Sequence, residues 1–140
     1  MNFFSVWLIL QLHVPVEEAA LQIKISGFND NRGKCVVMLF QSDVGFPKDP
    51  DRAFQFFAVA IENQSCELPI RNLAPGIWAV SVFHDANENG KVDTNFVGIP
   101  KEGIGVSNNK IPALRPPHFD ECKFLLKSGR QEVRIAMTYL

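Results

Sequence analysis

An all-β fold, an antiparallel β-sandwich of about seven strands, is predicted by three features of the sequence. Short runs of alternating or wholly apolar residues recur along the chain. Clusters of Gly, Pro, Asn and Asp punctuate them, and no segment of convincing length carries a helical period. The twelve Phe, against one Tyr and two Trp, fit a sheet-rich core. A length of 140 residues fits one domain, assigned to residues 21–140.

In chain order, Leu21–Ile25 alternates with period two and reads as a strand, followed by a turn cluster from Gly27 to Gly33. Lys34–Phe40 is β-rich and apolar throughout, as a central strand is. Residues Gln41–Arg52 form a loop with two prolines, which cannot donate to a sheet ladder. Phe54–Ile61 reads as a strand or a short helical turn. Cys66–Ile70 points Cys66, Leu68 and Ile70 inward, and Pro69 confines it to an edge or a bulge. Leu73-Ala74-Pro75-Gly76 is a turn, and Ile77–Phe83, apolar on both faces except at Ser81, is a second central strand. A loop then runs from Asp85 to His118. Cys122–Leu126 and Glu132–Tyr139 close the domain, with Ser128-Gly129-Arg130 as a hairpin turn and Val133, Ile135, Met137 and Tyr139 on one face.

Residues 1–20 read as a signal peptide with cleavage near Ala20. Phe3–Leu12 is nearly all apolar and too short to span a bilayer, so no stable transmembrane anchor is expected there. No Lys or Arg precedes Lys24, and Glu17-Glu18-Ala19-Ala20 is a poor cleavage site; the alternative is a buried N-terminal strand. The net charge of −1 leaves no basic footprint, which excludes nucleic acid as a partner. Cys35, Cys66 and Cys122 are too scattered for a zinc or thioredoxin motif; in an exported chain they allow one disulfide and one leftover thiol, with the pair left open.

The chemistry concentrates in His84–Asn95. Asp85, Asn87, Asn89, Lys91 and Asp93 fall at positions one, three, five, seven and nine of a calcium-loop pattern, with Gly90 at position six. Side-chain oxygens at alternate residues can converge on one hard cation, and position seven offers its carbonyl. The closing Glu of an EF-hand is replaced by Phe96, an apolar residue suited to pinning the loop by packing. The flanks are strands, so the missing ligands of a Ca²⁺ site would come from Asn95, Glu102 or Ser107-Asn108-Asn109. Binding would be weak, as in extracellular modules. The competing reading is a loop of Asx-turns that satisfies its own backbone without metal.

The run Pro75–Asp85, continuing through Asn87, Asn89-Gly90, Asp93, Asn95, Gly98–Gly103, Gly105 and Ser107-Asn108-Asn109, with Phe46-Pro47 and Pro117-x-Phe119, resembles the exported bacterial proteins grouped as family 2141 of domains of unknown function. The resemblance spans about Leu21–Leu140. It implies secretion or a periplasmic location and a sandwich similar to transthyretin-like or collagen-adhesin B-type modules, and it supplies no activity. The missing positive n-region departs from an ordinary export signal, and Cys122 stands where a small residue is expected.

The function expected from these features is an exported, non-enzymatic module whose loop presents a surface to a protein or glycan partner. Two alternatives are a small hydrolase or lyase using His84 with Asp85 or Glu102, with His118 as a further titratable group, and a carbohydrate-binding module. The first lacks a nucleophile elbow or a metalloprotease motif. The second needs an exposed aromatic platform, whereas Trp78 and Tyr139 read as core.

Overall fold

Period-two burial organises the first sheet. In the computed structural model, which describes residues 18–94 and 100–140, β1 (Ala19–Ser26) buries Ala19, Leu21, Ile23 and Ile25 on one face. It starts two residues ahead of the expected Leu21. β1 pairs antiparallel with β4 (Ser65–Leu73) and parallel with β8 (Gly129–Ala136), giving a three-stranded sheet of order β4-β1-β8. Pro69 sits on β4, an edge strand, where its missing N–H leaves no ladder bond unmade.

The second sheet has the order β3-β2-β5-β6, built from β2 (Lys34–Phe40), β3 (Gln55–Ala60), β5 (Gly76–Asp85) and β6 (Ile104–Val106). β7 (Phe124–Leu126) pairs with the start of β5, along Gly76–Trp78, while β6 pairs with Ser81–Phe83. β2 and β5 are central, and both faces of each are buried, which explains their unbroken apolar runs.

One core fills the space between the sheets. Cys35, Val37 and Leu39 of β2 and Trp78, Val80 and Val82 of β5 meet Leu21, Ile23 and Ile25 of β1 and Ile135 of β8. The opposite face of the second sheet carries further apolar clusters. Val36, Met38, Phe40 and Phe83 are covered by Phe46, Ala53, Val92, Ile104 and Phe119. Ala79, Val106 and Cys122 pack beside them with Ile111. The loops after β2 and β5 therefore fold onto this outer face.

Three expectations are corrected. The last two strands are not a hairpin: β7 joins β5, and β8 crosses to the other sheet to lie parallel to β1. The fold is thus mostly, not wholly, antiparallel. A tight turn at Gly129 (φ +91°) reverses the chain but does not dictate that its two flanks pair. Cys122 lies in a single helical turn, α1 (Phe119–Cys122), not in a strand. The stretch from Asp85 to His118 is not all loop, because it contains β6 and a 3₁₀ turn over Ser107–Asn109. No helix among the described residues is long and apolar enough to cross a membrane.

Candidate functional site: the 84–102 loop and the cavity it walls

β5 delivers His84 and Asp85 to its end on opposite faces, as strand alternation requires. His84 is buried, its ring edge-on to Phe28. Nδ1 lies 2.9 Å from the Tyr139 hydroxyl and Nε2 lies 2.6 Å from the Arg32 carbonyl. The carbonyl can only accept, so Nε2 carries the proton and Nδ1 accepts from Tyr139. The Tyr139 oxygen in turn accepts the Asn29 N–H at 3.0 Å. Both ring nitrogens are committed, and the ring holds the Asn29–Gly33 turn against the sheet. His118 sits at the exposed start of α1, 3.5 Å from Glu121.

Asp85 is also buried. One carboxylate oxygen accepts the Asn89 N–H at 3.1 Å and the other accepts the Gly90 N–H at 2.8 Å. Asn87 Oδ1 accepts the Asn89 N–H, and Asn89 Oδ1 accepts the Lys91 N–H at 3.0 Å, as Asx-turns do. The Asn87 and Asn89 side-chain amides both donate to Asp93, each at 2.7 Å. Lys91 is exposed. Asn95 and Phe96 lie outside the described residues.

Glu102 closes this loop. One of its oxygens accepts the Ala86 N–H at 2.7 Å and the other the Asp93 N–H at 3.2 Å, so a single carboxylate clamps both stems. Burial, with the neighbouring Asp93, pushes the Glu102 carboxyl above its ordinary value. The Asn89 and Asn87 amides hold Asp93 below its own. These two carboxylates, with the amides of Asn87 and Asn89, are what the loop brings together. Asp85 is spent on backbone N–H groups, and no cluster of three or more His, Cys, Asp or Glu able to hold a metal occurs among the described residues.

Ser107, Asn108 and Asn109 bond to α1, β5 and β8. The buried Ser107 hydroxyl donates to the Cys122 carbonyl at 2.6 Å and accepts the Val80 N–H at 3.0 Å, tying α1 to β5. Asn108 donates to the carbonyls of Glu121 and Lys123. Asn109 caps the edge of β8, donating to the Arg134 carbonyl and accepting the Ala136 N–H. Their bonds reach other elements of the fold and not only their own turn.

The family model described as "Uncharacterized protein conserved in bacteria (DUF2141)" matches residues 23–134, which takes in both sheets and the whole of this loop. The chain belongs to that family. No curated protein and no solved structure matches.

In this DUF2141 chain the loop also walls a cavity of about 350 Å³ on the outer face of the second sheet. Met38, Ser81, Phe83, Ile104 and Val106 form its floor. Val92, Thr94 and Pro100 form one wall, and Ile111–Pro117 with Pro47 form the other. Floor and wall are tied together, for the Ser81 hydroxyl donates to the Pro47 carbonyl at 2.5 Å. The only charged side chains lining it, among the described residues, are the cations Lys48 and Arg115. Arg115 also pairs with Glu121 at 2.7 Å, while Lys48 has no carboxylate partner among the described residues. Leu114 stands almost fully exposed on the rim. None of these residues stood out in the sequence except the prolines, whose stiffness suits a preformed wall.

Proposed function

We propose that this chain is an exported, non-enzymatic binding module and that its ligand is a small amphipathic anion, with its apolar body in the 350 Å³ cavity and its charged group toward Lys48 and Arg115. The cavity carries this reading. Its size falls within the range of small-molecule sites, which are typically about 300–1,000 Å³, mostly apolar, with a few polar groups to fix orientation. The side chains in the lining that carry charge, Lys48 and Arg115, are both cations and suit an anion. The 84–102 loop supplies one wall and is held by Glu102. Trp78 is buried and donates to the Ala74 carbonyl at 2.9 Å, and Tyr139 is committed to His84, so neither serves as a sugar platform.

Burying about 200 Å² of apolar ligand surface at ~25 cal/mol/Å² gives about 5 kcal/mol, a dissociation constant of roughly 0.1–1 mM for a medium-chain carboxylate. Calorimetry with sodium decanoate tests this. One-to-one binding in that range, weakened about tenfold in Lys48→Glu, is the expected result. No heat at millimolar decanoate, or equal affinity in Lys48→Glu and in the cavity-filling Ile111→Trp, would refute it.

A second reading is favoured by the Asp93–Glu102 pair. Two carboxylates this close repel, and one calcium ion between them would relieve the repulsion. Asn87 and Asn89 would turn their amide oxygens inward, and Asp85 would order the turn without acting as a ligand. With so few carboxylates the site falls in the millimolar class. Ligand at a hundredfold excess over its dissociation constant raises stability by about 2.7 kcal/mol. The expected result is a calcium-dependent rise in melting temperature that Asp93→Asn abolishes. An identical melting curve in chelator and in excess calcium would leave the loop an Asx-turn scaffold.

A further inference from the structure

Cys35 lies on β2 of one sheet and Cys66 on β4 of the other, and both are buried in the shared core. Their sulfurs are 2.6 Å apart. The two residues flank the corner where the chain passes between the sheets. Cys35 pairs with Val59 near the end of β3, and Cys66 follows the Glu62–Ser65 turn that leads into β4. Cys122 belongs to a different place: it packs with Ala79 and Val106 on the outer face of the second sheet, with β5 between it and the core. We propose that Cys35 and Cys66 form a disulfide that staples the two sheets through the core, with Cys122 remaining a thiol.

The chemistry is thiol–disulfide exchange with a low-molecular-weight disulfide such as oxidised glutathione, during folding while the pair is still accessible. The Cys66 thiolate attacks one glutathione sulfur, breaks its S–S bond and expels one glutathione thiolate. The Cys35 thiolate then attacks the Cys66 sulfur of the mixed disulfide and expels the second. Two protons leave the cysteines, and two electrons reduce the glutathione disulfide to two thiols. In the folded protein, contact between the two sulfurs holds the Cys66 thiol below its ordinary value and pushes Cys35 above it. Cys122 is kept from the pair by its place on the outer face of the second sheet, where burial pushes its thiol up to about 11. The staple also bears on location, since such bonds persist in oxidising compartments. It stands independently of the ligand cavity.

The test unfolds and reduces the full chain, refolds it with oxidised glutathione, then denatures it without reductant and alkylates it with iodoacetamide. Peptide mapping should show one link, between the Cys35 and Cys66 peptides, and one alkylated residue, Cys122. Reductant should lower the melting temperature by on the order of 10 °C, the effect of opening a loop of this length. Cys122→Ala should keep both the link and the reductant effect, and Cys35→Ala should lose both. Three alkylated cysteines in the refolded protein, or any link through Cys122, would overturn the proposal.

Discussion

Asp93 donates its backbone N–H to Glu102 at 3.2 Å, and the other oxygen of the same Glu102 carboxylate accepts from Ala86 at 2.7 Å. The loop is therefore held shut by a residue outside the calcium-like spacing that first drew notice to it. Glu102→Ala should free both stems while sparing the sheets. Amide exchange at Ala86 and Asp93 should quicken at least about tenfold, and global stability should fall by about 1–3 kcal/mol, the cost of two orphaned N–H donors. Unchanged protection of those two amides would show that the loop is held by something else.

The same pair sets an acid response. Asp93 lies below its ordinary value because it accepts the Asn89 and Asn87 amides, so its contribution to stability is present above that ordinary value and fades as pH falls through the folded one. Glu102 lies above its ordinary value because of burial, so its contribution runs the other way: present at low pH and lost as pH rises through the raised value. Carboxyl-carbon NMR titration should find Glu102 releasing its proton at higher pH than Asp93. The reverse order would contradict the loop's hydrogen-bond pattern.

His84 is assigned a structural role, and His84→Phe separates that from chemistry. The change removes the ring partner of the Arg32 carbonyl and of the partly buried Tyr139 hydroxyl. Urea denaturation should show a loss of about 1–3 kcal/mol, from the two lost hydrogen bonds. Decanoate affinity of the folded variant should not change, because the ring lies on the other face of β5 from the cavity. Full stability together with lost binding would reverse the assignment.

Two glycines make a matched test of the turn that His84 holds. Gly33 has φ +67°, and a Cβ there would sit 2.0 Å from the Asp85 carbonyl oxygen. Gly90 has φ +74° with nothing within 4 Å. Gly90→Ala should cost only the left-handed penalty, about 1–2 kcal/mol, whereas Gly33→Ala must also displace backbone and should cost more than ~3 kcal/mol. Equal losses on chemical denaturation would mean that β2 and β5 do not approach as described.

Much of this was legible in the residues. The doubly buried β5 and β2 announced themselves by unbroken apolar runs, Pro69 marked an edge, and Trp78 was core. β6 was hidden because its middle residue is Gly105, which reads as loop. The structure needs that glycine, since a Cβ would come 2.7 Å from Ile135. The partner of β8 was hidden too, because alternation reports which face is buried and not which strand lies alongside. At the loop, Asn87, Asn89 and Asp93, which the spacing groups, are hydrogen-bonded to one another, but spacing could not show that Asp85 turns to backbone N–H groups. The cavity was out of reach, because its floor and walls come from segments far apart in sequence.

The most direct test of the binding-module account is a methyl NMR titration of the folded chain with sodium decanoate. The account predicts saturable shifts confined to methyl-bearing residues that line the cavity, among them Met38, Val92, Ile104, Val106, Ile111 and Leu114, with Leu21, Ile23 and Val80 of the inter-sheet core unmoved. Shifts centred elsewhere, or none at millimolar ligand, would contradict it.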